Sequence, residues 1–477
     1  QHEPTAPQSN STADSNGWIT QMLEKIEKPA DNLKRETSEP QSSKEIPKIS
    51  IPPNAFFKNK QRPYCPEVLT IGPLYAELGT KSDFDDRKAL CVKNFMERHG
   101  KSEVQDLINY LIPEPYDLEK DYSCPPGKKY TNESLKFLLT VDTIFIHEFL
   151  LCLSKKYPTT GACKYFTIFF FNNDFTFRDR LRRDLVLVGN QIPMSYVKKI
   201  TEIDSNHNFS LDDLEDTARK FIVPRIPFIS SKRVQTRFEE FLKSKDRKLI
   251  DKCQHLLDAL YFSCTETFDD SKRPSERPPA SYSEEESHHI PTASELSKAG
   301  ISFKACEGNV PVMKYEKAKL QLHLPRLIVY DGTEDVLRNL LAYEQTFKDK
   351  GEFTMYVAIM DSLIDTQEDL AILTKAKVIQ NHLGSDEKLL QMWNNMCTNV
   401  YYDPCKEWEE MIQEINGHNS TRWRRLYTEF HQMYLSRPWL MASVIAAFLL
   451  LLASIFQTVY SILGYYKPLN QSKTLNT

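Results

Sequence analysis

From Pro438 through Tyr466 the chain carries no charged residue, and Leu, Ile, Val, Phe and Ala fill the middle of that run. A helix needs about 20 apolar residues to cross a bilayer core, whereas apolar runs of about 10 to 14 are typical of buried core helices. The run therefore reads as a transmembrane helix over residues 437–465, its apolar span ending at Trp439 and Leu463. Trp439 at one end and Tyr460, Tyr465 and Tyr466 at the other suit the aromatic belts of the two interfaces. About a dozen Leu, Ile, Val and Phe residues, at roughly -0.3 to -0.6 kcal/mol each, favour insertion by about 4 to 7 kcal/mol.

A span so placed makes everything before it a body on one side of a membrane. Arg422, Arg424, Arg425 and Arg437 crowd its N-terminal flank, against Lys467 and Lys473 beyond it. The positive-inside rule then puts the body in the cytosol and residues 466–477 outside as a short C-terminal tail. Sequons at Asn10, Asn132, Asn208 and Asn419 permit the opposite orientation without requiring it. Ala442, Ala446 and Ala453 share a helix face that could seam two copies into a homo-oligomer.

The 61 basic and 65 acidic residues nearly balance, at a net charge of -4, which argues against nucleic acid as a partner. Only 14 glycines against 27 prolines disfavour phosphate loops and hairpin-rich sheets, and lean toward helices. Residues 1–48 are polar apart from a helically spaced cluster from Trp18 to Ile26, and read as a disordered N-terminal segment. The body, residues 49–436, is predicted to be mainly α with a small β element. Helices are expected at 84–112 with a break at His99-Gly100, at 133–153, at 184–200 with a break at Pro193, and within 234–262. Further helices are expected at 333–347, 353–363, 366–375, 385–396, 404–415 and 422–435. Short strands are expected near Ile301, Leu320 and Leu327. Thr292 and Glu295 form a capping-box pattern opening a helix that stops at Gly300. Residues 269–290 carry Pro, Ser and Glu with almost nothing apolar, and read as an exposed flexible loop.

Chemistry is hard to find. No Gly-rich phosphate loop, nucleophile elbow or zinc-protease pattern is present, so no catalytic residue, cofactor or metal is assigned. Asp361, Asp365 and Asp369 are spaced four apart, but Thr366 with Asp369 is a capping pair that starts a new helix, which separates them. His147-Glu148 lies in the apolar 133–153 helix, where a satisfied buried pair is the default. His288-His289 falls in the polar loop, and Arg422-Trp-Arg-Arg425 could touch anionic headgroups. The ten cysteines form no C-x-x-C and read as reduced, buried thiols.

Several segments resemble those of a plant family known as domain of unknown function 247, also termed the UPF 0481 type. They are Pro63-Tyr-Cys-Pro-Glu-Val-Leu-Thr-Ile-Gly-Pro73, Asp184-Leu-Val-Leu-Val-Gly-Asn-Gln-Ile-Pro193 and the run Ile290–Phe303. Leu337-Arg-Asn-Leu-Leu-Ala-Tyr-Glu-Gln345, Tyr356–Asp369, Asn381–Asp386 and Arg437-Pro-Trp439 complete the set, in family order. Two positions depart from the pattern: Tyr75-Ala76 stands near where the family carries a His pair, and Gly189 where it carries Glu. The resemblance implies a helical plant protein with a C-terminal anchor and no established catalytic site. Some grass members are implicated in self-incompatibility, which makes recognition of an unknown protein partner the leading expectation. An enzyme whose residues converge only in three dimensions, around His147, Glu148 or the Asp361–Asp369 acids, is the alternative.

Limited proteolysis of the full chain is expected to nick first within 269–290, because that stretch offers no apolar surface to bury. A first cut elsewhere in the body, with 269–290 intact, would contradict the loop.

Overall fold

The computed structural model describes residues 22, 49, 62–75, 83–101, 103–113, 122, 131–154, 175–205, 209–228, 249–265, 290–308, 310, 313–348, 351–398, 400, 406–419 and 438–471. The expected loop at 269–289, the helix at 422–435, His288-His289 and residues 1–48 apart from Met22 lie outside them. Met22 itself is helical and buried in the core.

The first half of the body comprises helices α1 (Asp83–His99), α2 (Val104–Leu111), α3 (Asn132–Leu153), α4 (Phe175–Asp184), α5 (Met194–Asp204), α6 (Leu211–Ile222), α7 (Leu249–Lys252) and α8 (Leu256–Thr265). The second half opens with α9 (Ala293–Lys298) and strands β1 (Ser302–Cys306), β2 (Lys314–Glu316), β3 (Gln321–Pro325) and β4 (Leu327–Val329). There follow α10 (Thr333–Phe347), α11 (Glu352–Leu363), α12 (Gln367–Lys375), β5 (Ile379–Asn381), α13 (Asp386–Trp393) and α14 (Lys406–Asn419). The chain closes on α15 (Pro438–Gln471). The fold is mainly α with a small β element, as the composition predicts.

Helix α3 organises the first half. Every residue from Ser134 to Cys152 is buried, so the helix must be surrounded on all sides. Helices α1, α2, α5 and α6 do this. Helix α8 joins the two halves by packing on α10 and α11, which pack on each other, with β4 against α10. Strand β3 pairs parallel with β1 and antiparallel with β2, so Leu322 lies opposite both Phe303 and Tyr315. Strand β4 pairs parallel with β5. One apolar cluster runs through both halves, from Met22 to Ile415.

The helix limits follow local chemistry. Gly100, at φ 59, ends α1 where the sequence places a break. Thr292 with Glu295 and Thr366 with Asp369 form the two expected capping boxes, and Ser210 with Asp213 adds a third at α6. Strands β2 and β5 are additions; at three residues each they are too short to show a period. Helix α15 continues to Gln471, past the expected end of the span at residue 465.

The expected helix over 184–200 is half wrong. Asp184 ends α4, residues 185–193 are turns, and only α5 is helical. The reason lies in another segment, residues 63–75, which after a short 3-10 turn at Arg62–Tyr64 runs largely buried without a regular helix or strand ladder to satisfy its backbone. Asp184 accepts the N–H groups of Glu67 (3.0 Å), Val68 (2.7 Å) and Leu69 (2.9 Å). Asn190 Oδ1 accepts the Ile71 N–H at 2.8 Å, while its amide donates to the carbonyls of Leu69 and Asp184 at 2.9 and 2.7 Å. Asp142 on α3 accepts the Gly72 N–H at 2.9 Å, and Asn339 on α10 donates to the Pro63 carbonyl at 2.7 Å. A helix through 185–193 could not hold Asp184 and Asn190 against the same strap.

Gly189 and Tyr75, the two departures from the family pattern, meet in this region. A Cβ on Gly189 would lie 2.9 Å from Tyr75 ring atoms. The ring cannot swing away, because it is 3% exposed and its hydroxyl donates to the Tyr64 carbonyl at 2.7 Å. The tyrosine occupies room that a side chain at 189 would fill. Gly189→Ala is therefore expected to destabilise the fold by about 1–3 kcal/mol, the range for overpacking. In a Tyr75→Ala background the same change should cost less, with a coupling of at least about 0.5 kcal/mol in urea melts of the four proteins. Equal costs in both backgrounds would contradict the contact.

Candidate functional site

A cleft of about 700 Å³ opens between α4, the Pro224–Pro227 connection after α6, and the turn leading from β4 into α10. Its size suits a small-molecule ligand. Local sequence explains each wall. Helix α4 ends in Arg182 and Arg183, where the helix dipole favours cations, with Arg180 one turn earlier. Pro224 forces a tight turn at Val223–Arg225, which carries Arg225 to the cleft with Phe221 behind it. On the facing wall, the Tyr330 N–H donates to Thr333 Oγ1 and the Thr333 N–H to the Tyr330 carbonyl, both at 2.9 Å. That closed turn presents the N-terminus of α10.

The arginines differ sharply. Arg183 is fully engaged: it donates to Asp335 at 2.5 Å, to Asp184 at 2.8 Å and to the Cys65 carbonyl at 2.9 Å. Arg225 lies 3.9 Å from the Asp179 carboxylate, beyond hydrogen-bond reach, with its guanidinium 6.0 Å over the Phe221 ring. Burial, together with the like charge of Arg182, pushes Arg225 down to about 10. No sequence motif marks this cleft, since its lining comes from segments far apart in the chain, around Arg180, Arg225 and Tyr330.

The residues singled out by sequence do not meet there. His147 and Glu148 are fully buried. His147 contacts Thr201 Oγ1 and Asp204 Oδ2, each at 3.1 Å, and His99 Nε2 lies 2.8 Å from Asp204 Oδ1. Arg98 joins Glu148 at 2.5 Å and Asp204 at 3.1 Å. This net knits α1, α3 and α5 together and is sealed from solvent by Phe95 and Phe209 packed on the histidines. The three spaced acids part company as the capping pair predicts. Asp361 belongs to α11, Asp365 is exposed, and Asp369 caps α12 while also accepting the Ser294 N–H of α9 at 2.6 Å. Among the described residues, no group of three or more His, Cys, Asp and Glu side chains could hold a metal.

One constellation was invisible to spacing. Cys306 Sγ on β1 lies 3.4 Å from His323 Nδ1 on β3, and His323 Nε2 lies 3.2 Å from Glu316 Oε2 on β2. The second contact is off line, so Nε2 makes no hydrogen bond. Burial pushes the Cys306 thiol up against the charges of Lys304 and Lys314. Burial and the same lysines push His323 down against Glu316. Cys65, Cys91, Cys152, Cys253, Cys264, Cys306 and Cys397 are all free thiols.

The model of a family described as a plant protein of unknown function, DUF247, matches residues 49–453. Two curated proteins of Arabidopsis thaliana, both described as UPF0481 proteins, are similar to the chain. The first is 22% identical, covering 86% of this chain and 89% of its own length. The second is 23% identical, covering 87% of this chain and 86% of its own. No solved structure matches.

The sealed net around Asp204 makes an acid-stability prediction. Burial raises the Asp204 carboxyl, but hydrogen bonds from His147 and His99 and the charge of Arg98 outweigh it and hold the group far below the usual carboxylate range. A depressed folded pKa contributes stability that is present above the unfolded value, about 4, and lost as pH falls below it. The gap in urea midpoint between the native chain and Asp204→Asn should therefore be widest near neutrality and shrink between about pH 4 and pH 2. A gap independent of pH would show that the carboxylate charge is not its source.

Proposed function

This chain belongs to the plant DUF247 family, and from that premise we propose that it is a membrane-tethered recognition module. In this reading α15 spans a bilayer, the helical body faces the cytosol, and that body binds another protein without covalent chemistry. The exposure of α15 carries the reading. Over Ile445–Leu463 the helix is long and apolar enough to cross a membrane, and none of it is buried against the body. Phe448, Leu450 and Phe456 are 62%, 72% and 60% exposed. At 1.5 Å per residue Ile445–Leu463 spans roughly 28 Å, close to the thickness of a hydrocarbon core. A continuous apolar surface of this size calls for lipid or a partner.

The family motifs support the non-catalytic half of the reading. Asp184, Asn190 and Asn339 direct their side chains at backbone groups of the 63–75 strap, which leaves them no reach toward a substrate. A second reading, an enzyme, is favoured by the Cys306–His323 contact with Glu316 beyond it, because a thiol beside an imidazole and an orienting acid is the arrangement of an activated nucleophile. The raised thiol weighs against it.

The full-length chain should stay with membranes through an alkaline wash, and a chain ending at Leu435 should be soluble and folded by circular dichroism. Protease added to sealed vesicles should remove the body and spare a short fragment containing α15. Full-length protein washing off would sink the anchor, and a glycan on Asn132 would reverse the orientation. Any turnover abolished by Cys306→Ser would favour the enzyme.

A further inference from the structure

We infer that α15 joins two copies of the chain in parallel within the membrane, with the Gln457 amide hydrogen-bonded across the seam to its counterpart in the second copy. Such a pair presupposes the membrane span proposed above, and it names the partner that the span itself takes. The amide of Gln457 stands in the wrong solvent. Gln457 lies three residues past Ser454, the middle of Ile445–Leu463, which puts it about 4.5 Å from the mid-plane of a bilayer crossed by that run. None of the run is buried against the body, and the Gln457 side chain makes no hydrogen bond among the described residues. The neighbouring hydroxyl differs: Thr458 Oγ1 donates to the Ser454 carbonyl at 2.8 Å and is satisfied within its own helix. A glutamine side chain is too short to snorkel to the headgroups as lysine and arginine do. Left in hydrocarbon without a partner, its amide is a heavy cost on a lone helix.

The face around Gln457 is shaped for a second helix. Ser443, Ala446, Leu450, Ala453, Gln457 and Tyr460 step alternately by three and four residues, the period that holds one stripe of a helix against a neighbour. Phe448, Ile455 and Ile462 lie on the opposite side, where lipid suits them. Ala453 stands one turn before Gln457, and Ala446 about two turns before that, so two backbones approach closely where the amide must reach across. The amide itself selects a second copy as the occupant. It carries two N–H donors and a carbonyl acceptor. Two such groups related by a two-fold axis along the membrane normal satisfy each other, each N–H donating to the other carbonyl. Copies of one chain insert the same way round and bring residue 457 to the same depth, whereas a helix of another protein needs a matching polar group there. Between Pro438 and Tyr466 no charge opposes the approach of identical helices.

The test uses full-length chains carrying a donor or an acceptor fluorescent protein at the N-terminus, reconstituted together in phosphatidylcholine vesicles. Energy transfer is followed as lipid is added, and it is expected to fall with dilution as a dimer dissociates. Gln457→Leu keeps the segment apolar and inserted, and should raise the dissociation constant by roughly three- to thirtyfold. Gln457→Asn retains an amide and should recover part of that loss. Phe448→Leu, on the opposite face, should match the native chain. Transfer absent from the native chain at every dilution, which is the result if the helix serves another protein, would overturn the seam. So would native affinity in Gln457→Leu, a Gln457→Asn no tighter than Gln457→Leu, or an equal loss in Phe448→Leu. An alkaline wash of the same vesicles separates two failures. A chain that stays with lipid but shows no transfer loses the seam alone, whereas one that washes off loses the span as well.

Discussion

A carboxylate that accepts three successive backbone N–H groups holds this body together. Asp184 does so for Glu67, Val68 and Leu69, and without it an irregular buried segment would leave donors unpaired at a cost of about 1–3 kcal/mol each. The same device recurs at helix starts. Glu215 of α6 accepts the first N–H groups of α7 at 3.1 and 2.9 Å, with Arg219 at 2.8 Å balancing its charge. Glu344 of α10 accepts the N–H groups of Phe353 and Thr354 at the start of α11, and the Tyr261 hydroxyl of α8. Each helix beginning is thus fixed in direction by a side chain from a different helix, so element order and packing are settled together.

The cleft is a by-product of that arrangement. Arg183 follows α4 to its end, where Asp184 is committed to the strap, and from there it reaches Asp335 on α10 and the Cys65 carbonyl. That single guanidinium sets the distance between two walls. Arg225 faces them from a turn that Pro224 makes obligatory. Its guanidinium is largely buried there, 3.9 Å from the exposed Asp179 carboxylate.

Much of this was readable from residue order, for reasons that are local. Capping boxes at Thr292 and Thr366, the stop at Gly100 and the apolar run of α3 each depend on residues within a few positions of one another. So does α15, whose length and lack of charge are visible at once. What could not be read depends on distance in the chain. Residues 185–193 open on an apolar run of leucines and valines, yet their backbone answers to a strap over a hundred residues earlier. Strands β2 and β5 take their form from pairing partners rather than pattern. Cys306, Glu316 and His323 converge through β1–β3–β2 registry, which no spacing announces.

The Tyr75–Gly189 contact bears on how kinship is measured. Two positions more than a hundred residues apart constrain one another, since the aromatic ring at one leaves no room for a side chain at the other. A comparison that scores each column independently is blind to a dependence of this kind. Correlated columns at positions 75 and 189 would be the evidence to seek in any wider family alignment.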